Sequence, residues 1–307
     1  MKSPATMPSM QAGLEWLPDL PVARSERRRG ARFGDLEIVT PLATGGMGGV
    51  YLARDVVTGE RYALKVLDPA LAKHPEVVAR LDAEAELAQR SSHPGVVRIH
   101  TANRTQDGVP YLVMEFLDGD TLATVSEVDG LDVASIVDIG AQLAAALASL
   151  HDAGVVHCDV KPDNVLVLRD SDGGPRVKLL DFGVSRLVDE PRPESPQIAG
   201  TPWCMAPEQW RGLPVPASDV YSLGCMLFFL VTGDMPFDGS LPELMLAHLE
   251  QRPARPSWMR AGVPAELDRL ILRALAKDPA HRPAMAEVAC VLAEIADQIA
   301  ERSRVAA

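Results

Sequence analysis

Between residues 33 and 117 the apolar side chains fall in short alternating or β-rich runs: Leu36-Glu37-Ile38-Val39, Gly49-Val50-Tyr51-Leu52-Ala53, Arg61-Tyr62-Ala63-Leu64-Lys65-Val66-Leu67 and Tyr111-Leu112-Val113-Met114-Glu115-Phe116. Turn residues such as Thr58-Gly59 and Asp107-Gly108 separate them, which predicts an antiparallel sheet. One stretch, 76–90, has the spacing of a helix. Beyond Asp118-Gly119 the period changes. Leu143, Leu147 and Leu150 recur at helical spacing within 135–151, and further helices are predicted over 218–230, 241–250, 265–276 and 284–302. Val165-Leu166-Val167-Leu168 and Val177-Lys178-Leu179-Leu180, separated by a turn over 170–175, predict a small hairpin. There is no internal repeat. A β-rich front joined to a helical back makes an α+β chain of two lobes, and the cleft between such lobes is a natural ligand site.

Composition narrows this picture. A chain of 307 residues that is 47% hydrophobic can bury a large core, as one domain or two closely packed lobes, and is not disordered. The net charge of -12 argues against a nucleic-acid binder, whose footprint is a basic patch. It is compatible with basic or neutral protein partners, although solubility alone accounts for it. Cys158, Cys204, Cys225 and Cys290 are scattered without a CxxC pair, which fits neither a zinc cage nor a disulfide framework and points to a reducing, cytoplasmic setting with inert thiols. No stretch has the ~18 to 20 apolar residues needed to span a bilayer. The longest run, 223–231, suits a buried helix. Residues 1–32, rich in Pro, Ser and Met and carrying Arg24 and Arg27-Arg28-Arg29, read as a flexible leader that lacks the apolar centre of a secretion signal.

The chemistry is concentrated in His157-Cys158-Asp159-Val160-Lys161-Pro162-Asp163-Asn164 and, shortly after, Asp181-Phe182-Gly183. Phosphoryl transfer to a hydroxyl needs a carboxylate to take the proton, a cation for the phosphate charge and hard oxygens for Mg²⁺. Asp159, Lys161 and the pair Asn164 and Asp181 have those properties at suitable spacing. Upstream, Ala43-Thr44-Gly45-Gly46-Met47-Gly48-Gly49-Val50 joins the first two long strands, and its glycines let backbone amides approach phosphates. Lys65, flanked by apolar strand residues, needs an anion. Glu84 on the following helix is the expected partner; Asp82 and Glu86, about 200° round the axis from it, cannot face inward as well.

These segments resemble the glycine-rich loop, strand lysine, catalytic loop and metal-binding loop of the protein kinases. Gly200-Thr201-Pro202-Trp203-Cys204-Met205-Ala206-Pro207-Glu208, then Asp219 and Arg282, extend the resemblance over about 33–300. It implies a bilobal protein-kinase fold: a small β-rich N-lobe (33–117) with one main helix and a larger, mainly helical C-lobe (118–303). Catalytic roles then fall to Asp159, Lys161, Lys65 and Glu84. ATP would meet Leu42, Gly45, Gly48, Val50, Ala63, Lys65, Met114, Glu115, Leu117 and Leu166, with the backbone of 115–117 reading the adenine edge. Mg²⁺, or Mn²⁺ in its place, would meet Asn164 and Asp181. Glu208 and Arg282 are implied to form a buried ion pair, and Asp219 to hold the catalytic-loop backbone. Lys161 and Thr201 are similar to those of serine/threonine kinases, and Gly46-Met47-Gly48 and Met205-Ala206-Pro207-Glu208-Gln209 to the bacterial eukaryotic-type (Hanks-type) branch. The implied partners are proteins with Ser/Thr acceptors, and a second copy if the chain phosphorylates itself; neither nucleic acid nor a membrane span or sensor domain is expected.

Two positions depart from the family pattern. Ala43 stands where the first loop glycine is usual, and Cys158 where an arginine usually precedes the catalytic aspartate and pairs with a phosphate on the activation segment. Without that arginine an incoming phosphate loses its main partner, so activity is expected not to depend strictly on phosphorylation of Ser185, Ser195 or Thr201. Two other classes compete with the kinase reading. A pseudokinase scaffold would bind nucleotide or partners without catalysis, and a small-molecule phosphotransferase would share the HxD and metal aspartate but lack the 200–208 docking segment.

Overall fold

The computed structural model describes residues 29–45, 47–128, 130–168, 176–189 and 198–306, without the side chains of residues 303, 305 and 306. Most of the predicted leader, the turn over 170–175 and Ser195 lie outside the described residues. The chain divides into two compact units, one of residues 29–92 and 97–118, the other of 93–96 and 119–306.

The first unit is a six-stranded sheet with one long helix. Strands β1 (Arg32–Phe33), β2 (Leu36–Gly45), β3 (Gly48–Asp55) and β4 (Arg61–Leu67) are followed by α1 (Pro75–Ala88), β5 (Ile99–Arg104) and β6 (Pro110–Glu115), in the sheet order β1-β2-β3-β4-β6-β5. All pairings are antiparallel. Alternation puts Ile38, Tyr51, Ala53, Leu64, Val66, Tyr111 and Val113 into one core with Phe33 and Leu36. Strand β2 runs past the predicted segment. Its register shifts between Ile38 and Thr40 and between Pro41 and Ala43 admit a proline that an unbroken central strand would refuse.

The second unit is mainly helical: β7 (Gly119–Thr121), α2 (Leu122–Val128), α3 (Val133–Asp152), β8 (Val155–Val156), β9 (Val165–Leu168), β10 (Arg176–Leu179), β11 (Arg186–Leu187), α4 (Pro216–Thr232), α5 (Leu241–Glu250), α6 (Pro256–Met259), α7 (Ala265–Ala274) and α8 (Met285–Ala306). Asp132 caps α3 by accepting from the Ser135 amide at 2.8 Å. Although α3 is long and apolar enough to cross a membrane by length and composition, Ile136, Ile139, Leu143, Leu147 and Leu150 are buried inside this unit, as in a core helix. Every residue of α4 from Ser218 to Val231 is buried. That burial makes α4 a fixed post from which Asp219 reaches the loop after β8.

Candidate active site

In the first unit β2 and β3 form a hairpin closed at Gly45 and Gly48; Gly46 lies outside the described residues. Gly48 has φ 151, and a Cβ there would sit 2.1 Å from the Val66 carbonyl oxygen. Only glycine fits this backbone approach. The Asp68 amide donates to Met47 O at 2.9 Å and ties the tip to the end of β4. Val50 and Ala63 occupy neighbouring positions in register with Lys65 and Met114 respectively. Ala63 is buried, Val50, Met114 and Leu117 half-buried, and Leu42 exposed. The Glu115 amide donates to the Arg98 carbonyl at 3.0 Å while its carboxylate accepts from the Arg98 amide at 2.8 Å. That amide is therefore spent inside the sheet, which narrows the predicted backbone reading of an adenine edge over 115–117.

Lys65 Nζ meets both carboxylate oxygens of Glu84, at 2.7 and 2.8 Å. Glu84 shares the buried face of α1 with Val77, Leu81, Ala85 and Ala88. The other two acids point elsewhere: Asp82 pairs with Arg104 at 2.8 Å and Glu86 with Arg90 at 3.5 Å, both exposed. A carboxylate held at 3% exposure needs its cation, so the pair fixes the lysine head as well as neutralising the acid.

In the second unit the loop after β8 carries the remaining groups. Asp219 on α4, fully buried, accepts from the amides of His157 and Cys158, each at 2.8 Å, and lies 2.8 Å from His151 Nε2. Cys158 itself adopts φ 67, a left-handed backbone that a non-glycine residue holds only under surrounding constraint. Asp159 then presents a carboxylate engaged on both oxygens. Oδ1 accepts from Thr201 Oγ at 2.6 Å, while Oδ2 accepts from Asn164 Nδ2 at 3.0 Å and lies 2.8 Å from Lys161 Nζ. Lys161 also donates to Thr201 Oγ at 2.9 Å. Burial alone would lower the Lys161 pKa, but the Asp159 carboxylate, with Asp163 and Asp181, more than offsets it and holds the ammonium above the ordinary lysine value.

Asn164 also donates to the Asp159 carbonyl at 2.9 Å, which spends its amide nitrogen and leaves Oδ1 as its acceptor. His157 Nδ1 accepts from the Asp159 amide at 3.3 Å, so Nε2 carries the hydrogen that reaches Leu180 O at 3.0 Å. Next along the chain, Asp181 adopts φ 58, is exposed and accepts from the Gly183 amide at 3.2 Å. Phe182 is buried edge-on against His157, ring centroids 5.2 Å apart. Asn164 and Asp181 supply two hard oxygen donors, a set that fits Mg²⁺ or Mn²⁺ when phosphate oxygens complete the shell. No group of three or more His, Cys, Asp or Glu side chains among the described residues could hold a metal by itself.

A buried ion pair also holds the 200–208 segment. Arg282 grips Glu208 with two parallel bonds, at 2.6 and 2.9 Å, and adds bonds to the carbonyls of Ala217, Ala276 and Lys277. Cys158, Cys204 and Cys225 are buried thiols, and burial pushes the Cys204 thiol up to about 12, which makes it inert. Leu166 is half-buried beside Val165 on β9. Sequence reasoning missed three side chains that hold the loop: His151, Ser185 and Gln209. Gln209 directly follows Glu208, and that adjacency was its one available signal.

A model described as "Protein kinase domain" matches residues 36–291 of the chain. The chain is similar to the serine/threonine-protein kinase Pkn1 of Myxococcus xanthus, 40% identical over 282 residues that cover 91% of this chain and 40% of that protein. It is 38% identical to the serine/threonine-protein kinase PknB of Mycolicibacterium smegmatis over 78% of this chain and 39% of that protein. A third relative, the serine/threonine-protein kinase pkn3 of Myxococcus xanthus, is 36% identical over 80% of this chain and 47% of that protein. The chain thus spans less than half the length of these relatives.

Proposed function

Because the chain belongs to the protein kinase domain family, we propose that it transfers the γ-phosphate of ATP to serine or threonine hydroxyls of protein substrates. The observation that carries this reading is the Asp159 carboxylate held at once by Thr201, Lys161 and Asn164. A substrate hydroxyl attacks the γ-phosphorus, its new O–P bond forms as the bond to the β,γ-bridging oxygen breaks, and its proton passes to Asp159. Lys161, kept protonated, offsets charge on the transferring group, and positioning with preorganised charge supplies most of the rate. Lys65, fixed by Glu84, is the cation for the nucleotide phosphates, and the Gly48 hairpin brings backbone amides to them. Asn164 and Asp181 would hold Mg²⁺ or Mn²⁺, whose contribution when bound is to neutralise phosphate charge. A cytoplasmic setting and self-phosphorylation between two copies are part of the same proposal.

The scaffold alternative draws on Ala43 and Cys158, and no observation favours it: Lys65, Glu84, Asp159 and Lys161 are all present and paired. Independence from activation-segment phosphorylation also belongs to the proposal. Of the three candidate hydroxyls, Thr201 is engaged with Asp159 and Lys161, and Ser185 Oγ donates to His157 O at 3.0 Å. The test is incubation of the purified protein with ATP, Mg²⁺ and dephosphorylated casein, followed by phosphosite mapping. Phosphoserine or phosphothreonine in casein or in the chain itself is the expected result; nucleotide binding without any phosphotransfer would overturn the reading.

A further inference from the structure

Each carbonyl of the catalytic tripeptide 157–159 is held by a side chain from a different part of the helical unit. Ser185 Oγ donates to His157 O at 3.0 Å, Asn164 Nδ2 to Asp159 O at 2.9 Å, and Gln209 Nε2 to Cys158 O at 2.8 Å. Ser185 and Asn164 come from segments already tied to this loop by the proposed chemistry. Gln209 does not: it belongs to the turn after Glu208, 51 residues from the carbonyl it holds. It is 2% exposed, and its Oε1 accepts from the Ala206 amide at 3.0 Å, so both ends of the primary amide are engaged.

The middle carbonyl is the one that needs holding. Cys158 sits in the left-handed region, which a non-glycine residue holds only if its surroundings over-determine it. Its amide is fixed by Asp219 and its carbonyl by Gln209. Gly200 completes the joint: with φ 123, a Cβ there would lie 2.8 Å from Cys158 O and 3.3 Å from Gln209 Nε2, so the segment that delivers Thr201 to Asp159 runs hard against this hydrogen bond. Loss of the amide would release Cys158 O and with it the neighbouring Asp159 and Thr201.

We propose that Gln209 is a positioning residue for phosphoryl transfer: its side-chain amide clamps the Cys158 carbonyl to the 200–208 segment and so sets the direction of the Asp159 carboxylate. The inference rests on the kinase reading above and assigns Gln209 no contact with substrate. A glutamine is suited to the task because one planar group donates to the loop and accepts from the segment; an aliphatic residue can do neither, and a carboxylate can only accept.

The experiment compares parent, Gln209→Met and Gln209→Glu proteins on dephosphorylated casein, with turnover expressed per nucleotide-binding site titrated with a fluorescent ATP analogue. That normalisation removes any fraction that fails to fold. Gln209→Met is expected to lose about 10- to 100-fold in turnover per site, the usual result of a small misplacement at a reacting centre, with KM for ATP within about twofold of the parent. Gln209→Glu is expected to show the same loss near pH 8 and to recover part of it relative to the parent near pH 6, where a buried carboxyl regains its proton and can donate to Cys158 O. Parent-like turnover per site in either variant at pH 8, or a Gln209→Glu ratio that does not change with pH, overturns the assignment. A parent protein that binds nucleotide but modifies neither casein nor itself overturns the kinase reading, a distinct outcome seen before any variant is compared.

Discussion

A carboxylate accepts a proton at the right atom only while something else fixes its direction, and at Asp159 a hydroxyl, an ammonium and an amide do so. Thr201→Val keeps the volume and removes the hydroxyl, leaving Oδ1 of Asp159 and one donor of Lys161 without their shared partner. Turnover is expected to fall at least about tenfold with nucleotide affinity unchanged, read by steady-state kinetics beside nucleotide titration. Elsewhere in the helical unit, His248 is a buried imidazole whose Nδ1 pairs with Tyr221 OH at 2.9 Å. Burial first, and the Lys277 ammonium second, hold its pKa down to about 3 from 6.5. The unfolded chain therefore binds a proton that the folded one refuses between those values, so stability rises with pH across the window and is lost as pH falls. From this group alone the fold is expected to be about 2 kcal/mol less stable near pH 5 than near pH 8. Denaturant unfolding of parent and His248→Phe proteins at both values measures it, the variant losing that part of the slope.

Among the elements, the β2–β3 hairpin makes the strictest demand. Gly48→Ala would drive a methyl group into the Val66 carbonyl and demand a backbone angle alien to alanine. A loss of nucleotide affinity and of at least about 1 kcal/mol in stability is expected, read by titration and thermal unfolding. The long elements were legible because their periods repeat. The spacing of Val77, Leu81, Ala85 and Ala88 sets the inner face of α1 and with it the place of Glu84, while α5 falls over the whole of its predicted span. Strand β5 was not, since it is the sheet's edge and exposes every residue after Ile99, so His100-Thr101-Ala102-Asn103 carries no alternation. β7, β8 and β11 are two or three residues long, too short to show a period. The same contrast holds at the site. Asp159, Lys161 and Asn164 are close in sequence, so local spacing gathers them. Asp219, Glu208 and Arg282 could be reached from the sequence only through family resemblance, and the bond Gln209 makes could not be read even from the motif that contains it, because its 51-residue reach is set by the tertiary path of the 200–208 segment.

For the whole molecule, tertiary order in the helical unit depends on a few buried charges more than on surface pairs. Arg282→Ala strands the Glu208 carboxylate in the interior and is expected to cost about 3–5 kcal/mol. Removing the exposed Arg273–Glu287 pair of the same unit is expected to cost no more than about 1 kcal/mol, and chemical denaturation separates the two cases. Protein stripped by a phosphatase, and a Ser195→Ala variant, are both expected to start phosphorylating casein without a lag, since no activation-segment phosphate has an arginine beside Asp159 to meet. Removing the proton acceptor gives the decisive comparison: phosphate transfer to casein from parent and Asp159→Asn proteins under saturating ATP and Mg²⁺, with nucleotide binding measured on the same samples. A fall in turnover of about 10² to 10⁴ with binding retained is the expected result, and an Asp159→Asn protein working at the parent rate would contradict the account.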